Sequence, residues 1–332
     1  MVEFNHQLVS RIYKLTQTKT EFDIIPHVDT ENHEELLEIE ETFGLCSCLA
    51  GERLWYPIYR SVFSQEGSLS VEHLTILLLF VPSCATFWHR RKELVQLDRL
   101  SLKEELAFTR LVLIRFPRAT EPLQHRHWVL EKLSSSELEG VVGEEIDLCE
   151  RLCDKHRCNY MVWQHRRWLL LRQGASIENV QSELKRMDDW NRSHPVDVSG
   201  WCFRAHLFRM WLSSSDEEKN PDSLKLSLFK ESERIQSAIL KTPENDALWS
   251  YRRQVFDIYR DLGSSFVDLC RFDPIASAIP PDPCLCNLSD TELRATGLFA
   301  VPSEFSQPWS RMLYMRHLRW LAQTASPSIP TQ

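Results

Sequence analysis

Residues 159–168 read Asn159-Tyr160-Met161-Val162-Trp163-Gln164-His165-Arg166-Arg167-Trp168. The stretch is aromatic and basic at once, and it returns in degraded form four more times. Trp88 is followed three residues on by Arg91, Leu123 by Arg126, Trp201 by Arg204 and Trp249 by Arg252. The arginine is kept at every site, and the tryptophan at all but one. Six residues before the anchors stand Pro82, Pro117, Pro195 and Pro243, with Arg157 taking that place in the central copy. The anchors at 88, 123, 163, 201 and 249 lie 35 to 48 residues apart. Self-similarity at such a period marks an array of helical hairpins, each unable to bury its apolar face without a neighbour.

The repeat unit is a first helix, a proline-marked turn and a second helix that begins near the Trp-x-x-Arg pair. Ser101 with Glu104 predicts a capping box, in which each side chain satisfies the other's backbone N–H. The helix it opens closes at Phe116-Pro117, because proline disfavours helix in the residue before it. Gly174 is expected to end the second helix of the central copy. Within that helix, Trp163, Arg166, Arg167 and Leu170 fall on one face. Tryptophan supplies apolar area, and the arginine stem can lie along it with its guanidinium aimed at carbonyls or carboxylates. The plainest role for these pairs is to hold the repeats together.

Composition agrees with a helical array. Only 9 of 332 residues are glycine, and 43% are hydrophobic. The fold class expected is all-α, an α-α superhelix of antiparallel hairpins in five repeats. A net charge of −8 argues against a general nucleic-acid binder. The apolar run from Leu74 to Val81 is too short to span a bilayer. The opening residues lack a charged-then-apolar leader, and the 10 cysteines read as reduced thiols, so a cytoplasmic location is expected.

Three regions follow in chain order. Residues 1–70 form an N-terminal helical extension, with Leu8, Ile12 and Leu15 at helical spacing and the acidic Glu31–Glu41 stretch read as a solvated helix. Residues 71–260 hold the repeats. Residues 261–332 comprise a Pro-rich irregular segment, densest over 271–308, and a helix after Pro308 that caps the array.

The central copy and Trp249-Ser250-Tyr251-Arg252-Arg253 resemble the repeats of protein prenyltransferase alpha subunits. The resemblance covers roughly residues 71–255. Phe22-Asp23-Ile24-Ile25-Pro26 and Phe87-Trp88-His89-Arg90-Arg91-Lys92-Glu93-Leu94 resemble the divergent, repeat-containing branch of that family more than the farnesyl or Rab-geranylgeranyl alpha chains. The resemblance implies hairpins wrapped around a separate beta subunit that holds the zinc, the isoprenoid and most of the chemistry. The implied reaction moves a prenyl group from its diphosphate to a cysteine near an acceptor protein's C-terminus. In the family a lysine directly after the second-repeat proline serves the diphosphate; that position is Arg118. Arginine keeps the positive charge but is a planar fork rather than a point charge. The third-repeat tyrosine is Tyr160, whereas Met161 and Thr120 replace a histidine and an aromatic of the farnesyl type.

Other candidates carry plainer readings. Cys149, Cys153 and His156 share one side of a helix at metal-ligand spacing, without an evident fourth ligand. Cys46 with Cys48, and Cys284 with Cys286, are too close for a usual zinc knuckle. His125 and His127 flank Arg126 on different sides of their helix, which suits packing better than proton transfer. Two functions stay open: the alpha subunit of a geranylgeranyl-type prenyltransferase, with no cofactor on this chain, and a non-enzymatic helical scaffold for protein–protein interaction. A tetratricopeptide-like adaptor, with its period of about 34, fits the first interval only.

Overall fold

The computed structural model describes residues 6–25, 36–47, 54–63, 70–214, 220–263, 272–273, 303–305 and 307–325. Cys48, Cys284, Cys286 and most of the Pro-rich segment lie outside them. The chain forms two compact units that divide between Leu169 and Leu170.

The first unit opens with α1 (His6–Thr18), whose Leu8, Ile12 and Leu15 are buried as their spacing predicts. A three-stranded sheet follows, β1 (Glu21–Ile25), β2 (Leu36–Ile39) and β3 (Thr42–Cys46), in the order β1-β3-β2. This corrects the all-helical expectation for residues 1–70. The described part of the acidic stretch, residues 36–41, forms β2 and a turn at Glu40; β2 is antiparallel to β3, and β1 runs parallel to β3. Burial decides the outcome: Phe22 stacks on Phe43 with ring centres 5.7 Å apart, and Leu45 is fully buried. Glu38 is exposed on its strand, and Glu40 and Glu41 are exposed in the turn, which solvates them as well as a helix would.

Beyond α2 (Tyr56–Phe63), the first unit continues with α3 (Val71–Phe80), α4 (Ala85–Gln96), α5 (Leu102–Arg115), α6 (Thr120–Glu131), α7 (Ser135–Lys155) and α8 (Tyr160–Arg172). The unit boundary falls inside α8. The second unit holds α9 (Ile177–Ser193), α10 (Val198–Leu212), α11 (Pro221–Lys241), α12 (Asp246–Asp261), a 3-10 turn (Ser303–Phe305) and α13 (Pro308–Ala325). Within each unit the helices pair as antiparallel hairpins and stack on their neighbours: α5 packs on α6, α4 on α6, α5 on α7, and in the second unit α10 on α12. This is the α-α superhelical class.

Each second helix begins three residues before its anchor, at Ala85, Thr120, Tyr160, Val198 and Asp246. The prolines explain the regularity. The indole N–H of Trp88 donates to the Pro82 carbonyl at 2.7 Å, Trp201 to Pro195 at 2.9 Å and Trp249 to Pro243 at 2.9 Å. A buried tryptophan needs a partner for its N–H, and the turn supplies one at a fixed offset. The capping box at Ser101 and Glu104 is present, and Ser134 with Glu137 forms a second. Gly174, at φ 91°, ends α8 in a Schellman motif, with Ala175 N–H donating to Leu170 O at 3.1 Å and Gly174 N–H to Leu171 O at 3.1 Å.

Gly200 lets α10 approach α9 closely. A Cβ there would stand 2.9 Å from Trp190 Nε1, and that indole is itself stacked on His194 at 3.9 Å. Gly200→Ala is therefore expected to lower stability by about 1–3 kcal/mol, despite alanine's better helix propensity. Urea unfolding measures it, and a neutral or stabilising result would show that α9 moves freely.

Candidate functional site

The repeat arginines are interior side chains. Arg91, Arg126, Arg166, Arg204 and Arg252 are all buried, as are Trp88, Trp163, Trp201 and Trp249. An unpaired buried charge would be costly, and buried carboxylates meet most of them. Arg91 Nε donates to Glu105 at 3.1 Å and Arg126 Nε to Glu145 at 2.9 Å. In the second unit, Arg204 forks onto Glu231 at 2.8 and 2.7 Å, and Arg252 onto Asp273 at 2.8 and 2.6 Å. Arg166 pairs with Glu150 at 3.0 Å.

Each of four acids also takes a second donor from the other side. His125 meets Glu105 at 2.5 Å, His165 meets Glu145 at 2.8 Å, Tyr251 meets Glu231 at 2.9 Å and His317 meets Asp273 at 3.1 Å. That ring also packs on the preceding tryptophan in three cases: Trp88 with His125 at 4.9 Å, Trp201 with Tyr251 at 4.8 Å and Trp249 with His317 at 5.4 Å. The unit of construction is thus a carboxylate clamped between the arginine of one repeat and the His or Tyr of the next. His125 plays this packing role, and His127 lies against Trp168 with ring centres 3.9 Å apart. The Arg252–Asp273–His317 clamp carries the pattern into α13, so the repeat chemistry does not stop near residue 261.

Protonation follows the clamps. Burial works to raise the Glu105 carboxyl, but the Arg91 guanidinium and the His125 hydrogen bond outweigh it and hold it near 2. Glu145 and Asp273 are held well below the usual carboxylate range by the same opposition. Burial pushes His125 and His317 down, toward the neutral imidazole, and Tyr251 up.

A further bond ties the second and third hairpins at their tip, and Asn245 Nδ2 to Pro195 O at 2.7 Å matches it in the second unit. Asn159 Nδ2 donates to the Pro117 carbonyl at 2.6 Å, tying the start of α8 to the turn after α5. Arg118 and Tyr160 follow Pro117 and Asn159 in the chain, so each adjoins one end of this bond. Arg118 is exposed, and Tyr160 is 60% exposed. No described carboxylate lies within ion-pair distance of Arg118. Lys155 donates to Ile114 O at 3.1 Å, and burial followed by the charges of Arg151 and Arg115 pushes its ammonium pKa down. Beside it a cavity of about 670 Å³ is walled by Phe22, Phe43 and Arg115. The sheet is anchored there, since Arg115 pairs with Asp23 at 2.6 Å and Arg151 pairs with Glu21. An exposed cation with no described carboxylate at ion-pair distance suits a multiply charged anion. Met161 is 38% exposed next to Tyr160, while Thr120 binds the Glu121 carboxylate at 2.9 Å.

The metal face expected from Cys149, Cys153 and His156 does not assemble. Both cysteines are buried in α7, whereas His156 caps its end with Nδ1 3.2 Å from Arg157 O. Among the described residues, Glu145, Cys149 and His165 do bring possible ligand atoms within 4.8 Å of one another. Glu145 is already neutralised by Arg126, and the same clamp recurs at Glu105 and Asp273. Cys149 is buried beside this clamp.

No described helix is long and apolar enough to cross a membrane. Residues 142–173, covering most of α7 and all of α8, match the protein prenyltransferase alpha subunit repeat. The chain is 26% identical over 233 residues to the Xenopus laevis protein prenyltransferase alpha subunit repeat-containing protein 1-B, covering 56% of this chain and 54% of that protein. It is 26% identical over 235 residues to the Homo sapiens protein prenyltransferase alpha subunit repeat-containing protein 1, covering 57% and 58%. The Rattus norvegicus geranylgeranyl transferase type-2 subunit alpha is 26% identical over 215 residues, covering 60% of this chain and 37% of the relative. The alignments to the repeat-containing relatives thus span little more than half of those proteins. The chain is prenyltransferase alpha subunit-like in its repeats.

Proposed function

We propose that this chain is the alpha subunit of a cytoplasmic heterodimeric protein prenyltransferase of the geranylgeranyl type. Its partner is a beta subunit, of the kind used by the Rab enzyme, which carries the zinc and the isoprenoid. The pair joins the isoprenoid to a C-terminal cysteine of an acceptor protein. In that reaction the thiolate sulfur forms a bond to the prenyl C1 as the C1–O bond breaks, and inorganic diphosphate leaves. Arg118 stabilises the charge gathering on the departing diphosphate, and Tyr160 hydrogen-bonds beside it. The supporting observation is the contrast between Arg118 and the five anchor-repeat arginines. Those are buried and paired, whereas Arg118 is exposed, has no described carboxylate at ion-pair distance, and follows Pro117, whose carbonyl accepts from Asn159, the residue before Tyr160.

A non-enzymatic scaffold is the second reading, favoured by the exposed Met161 where the farnesyl type has a histidine. Co-expression with a Rab-type beta subunit separates the two. The account expects a stable pair that transfers geranylgeranyl to a cysteine-ending acceptor. Arg118→Ala should leave the pair intact and lower turnover about 100-fold, the scale for losing one donor to a developing oxyanion. Unchanged turnover in an intact pair would remove Arg118 from the site, and failure to pair would leave the scaffold.

A further inference from the structure

Asn191, on α9, is 4% exposed, and neither its Oδ1 nor its Nδ2 has a hydrogen-bond partner. Buried polar atoms are satisfied in the great majority of cases, and each orphan costs about 1–3 kcal/mol. This amide lines a cavity of about 420 Å³ between α9 and α11, a size that suits a small ligand. Trp201 and Leu248 give it apolar walls, while Arg192, Arg234 and Lys241 line its solvent side. The lining carboxylate, Asp188, is already committed to Arg204 at 2.8 Å and to Arg234. Lys241 is exposed, and no described carboxylate lies within ion-pair distance of it.

We propose that this pocket binds a short acidic peptide segment. An asparagine offers one acceptor and two donors, the complement of a peptide unit's N–H and C=O. A bare phosphate would face the repulsion of Oδ1 and leave the apolar walls uncovered. An extended peptide satisfies both Asn191 atoms with its main chain, lays an apolar side chain on Trp201 and Leu248, and gives its carboxylate to Lys241, since Arg234 is already held by Asp188. The site lies wholly in the second unit and shares no residue with the turn that carries Arg118 and Tyr160, so it stands apart from the prenyl-transfer reading.

The test is calorimetric titration of the full chain with acetyl-glutamyl-leucinamide, beside its glutaminyl analogue. The glutamyl peptide should bind with a constant of roughly sub-millimolar size and the glutaminyl one about 10-fold more weakly, since it keeps a neutral hydrogen bond and loses only the charge assistance. Lys241→Ala should erase most of that difference. Asn191→Leu should abolish binding while leaving the thermal midpoint unchanged or higher, because it removes an unsatisfied buried amide. Equal binding of the two peptides, no binding to the native chain, or a lowered midpoint in Asn191→Leu would each overturn the proposal.

Discussion

Replacing Glu145 with glutamine is expected to destabilise the protein by about 3–5 kcal/mol, the cost of leaving one partner of a buried ion pair uncompensated. Glu145 is 1% exposed and receives Arg126 through three N–H···O contacts of 2.5–2.9 Å, with His165 at 2.8 Å on its other side. Glutamine can accept one bond from the guanidinium but brings no charge, and its amide donors would confront those of Arg126. The remaining partners of Arg126, Leu106 O at 2.6 Å and Thr109 Oγ1 at 3.0 Å, are neutral. Glu144→Gln, one residue away and exposed, serves as the control, with an expected change within about 0.5 kcal/mol. Urea unfolding followed by tryptophan fluorescence reports both. A Glu145→Gln effect below about 1 kcal/mol, within ordinary surface variation, would mean that the clamp is not a stabilising unit.

Acid should dismantle the same clamps in two stages. His125 and His317 have folded pKa values below their usual 6.5, so the unfolded chain takes up their protons first. Their contribution is complete above about pH 6.5 and declines as the pH falls below it. Glu105 is held near 2 against an ordinary 4.5, so its contribution is complete above about 4.5 and is lost between there and 2. Glu145 and Asp273 act in the same direction. The thermal midpoint should therefore begin to fall below pH 6.5 and fall more steeply below 4.5. A midpoint that stays level from pH 7 to 4 would contradict the protonation states assigned to the clamps.

The helical architecture was legible because each repeat writes its signature locally. Trp-x-x-Arg with an upstream proline marks the turn and the start of the second helix, and the Trp201–Pro195 bond shows why the offset of six is fixed. The sheet was not legible. Glu38, Glu40 and Glu41 read equally well on a solvated helix, and the choice rests on Phe43 and Leu45 packing with a strand far back in the chain. The clamps were hidden for a related reason. Arginine and acid are separated by 14, 19, 27 and 21 residues, following variable loop lengths, so no period reveals them. The other half of each clamp was readable: Glu105 to His125, Glu145 to His165 and Glu231 to Tyr251 are all spaced by 20. The Asp273–His317 pair spans 44 residues and escapes even that rule. At the candidate site, the sequence supplied Arg118 and Tyr160 through resemblance, while Asn159 was legible only by its match to Asn245, which stands at the same offset before its anchor tryptophan and makes the same bond.

The central proposal is that this chain serves a partner that performs prenyl transfer. The direct measurement is incorporation of labelled geranylgeranyl diphosphate into a cysteine-ending acceptor, by a Rab-type beta subunit alone and by the same subunit purified with this chain. The account predicts that label enters the acceptor cysteine only when the chain is present. A stable pair that incorporates no more label than the beta subunit alone would contradict it.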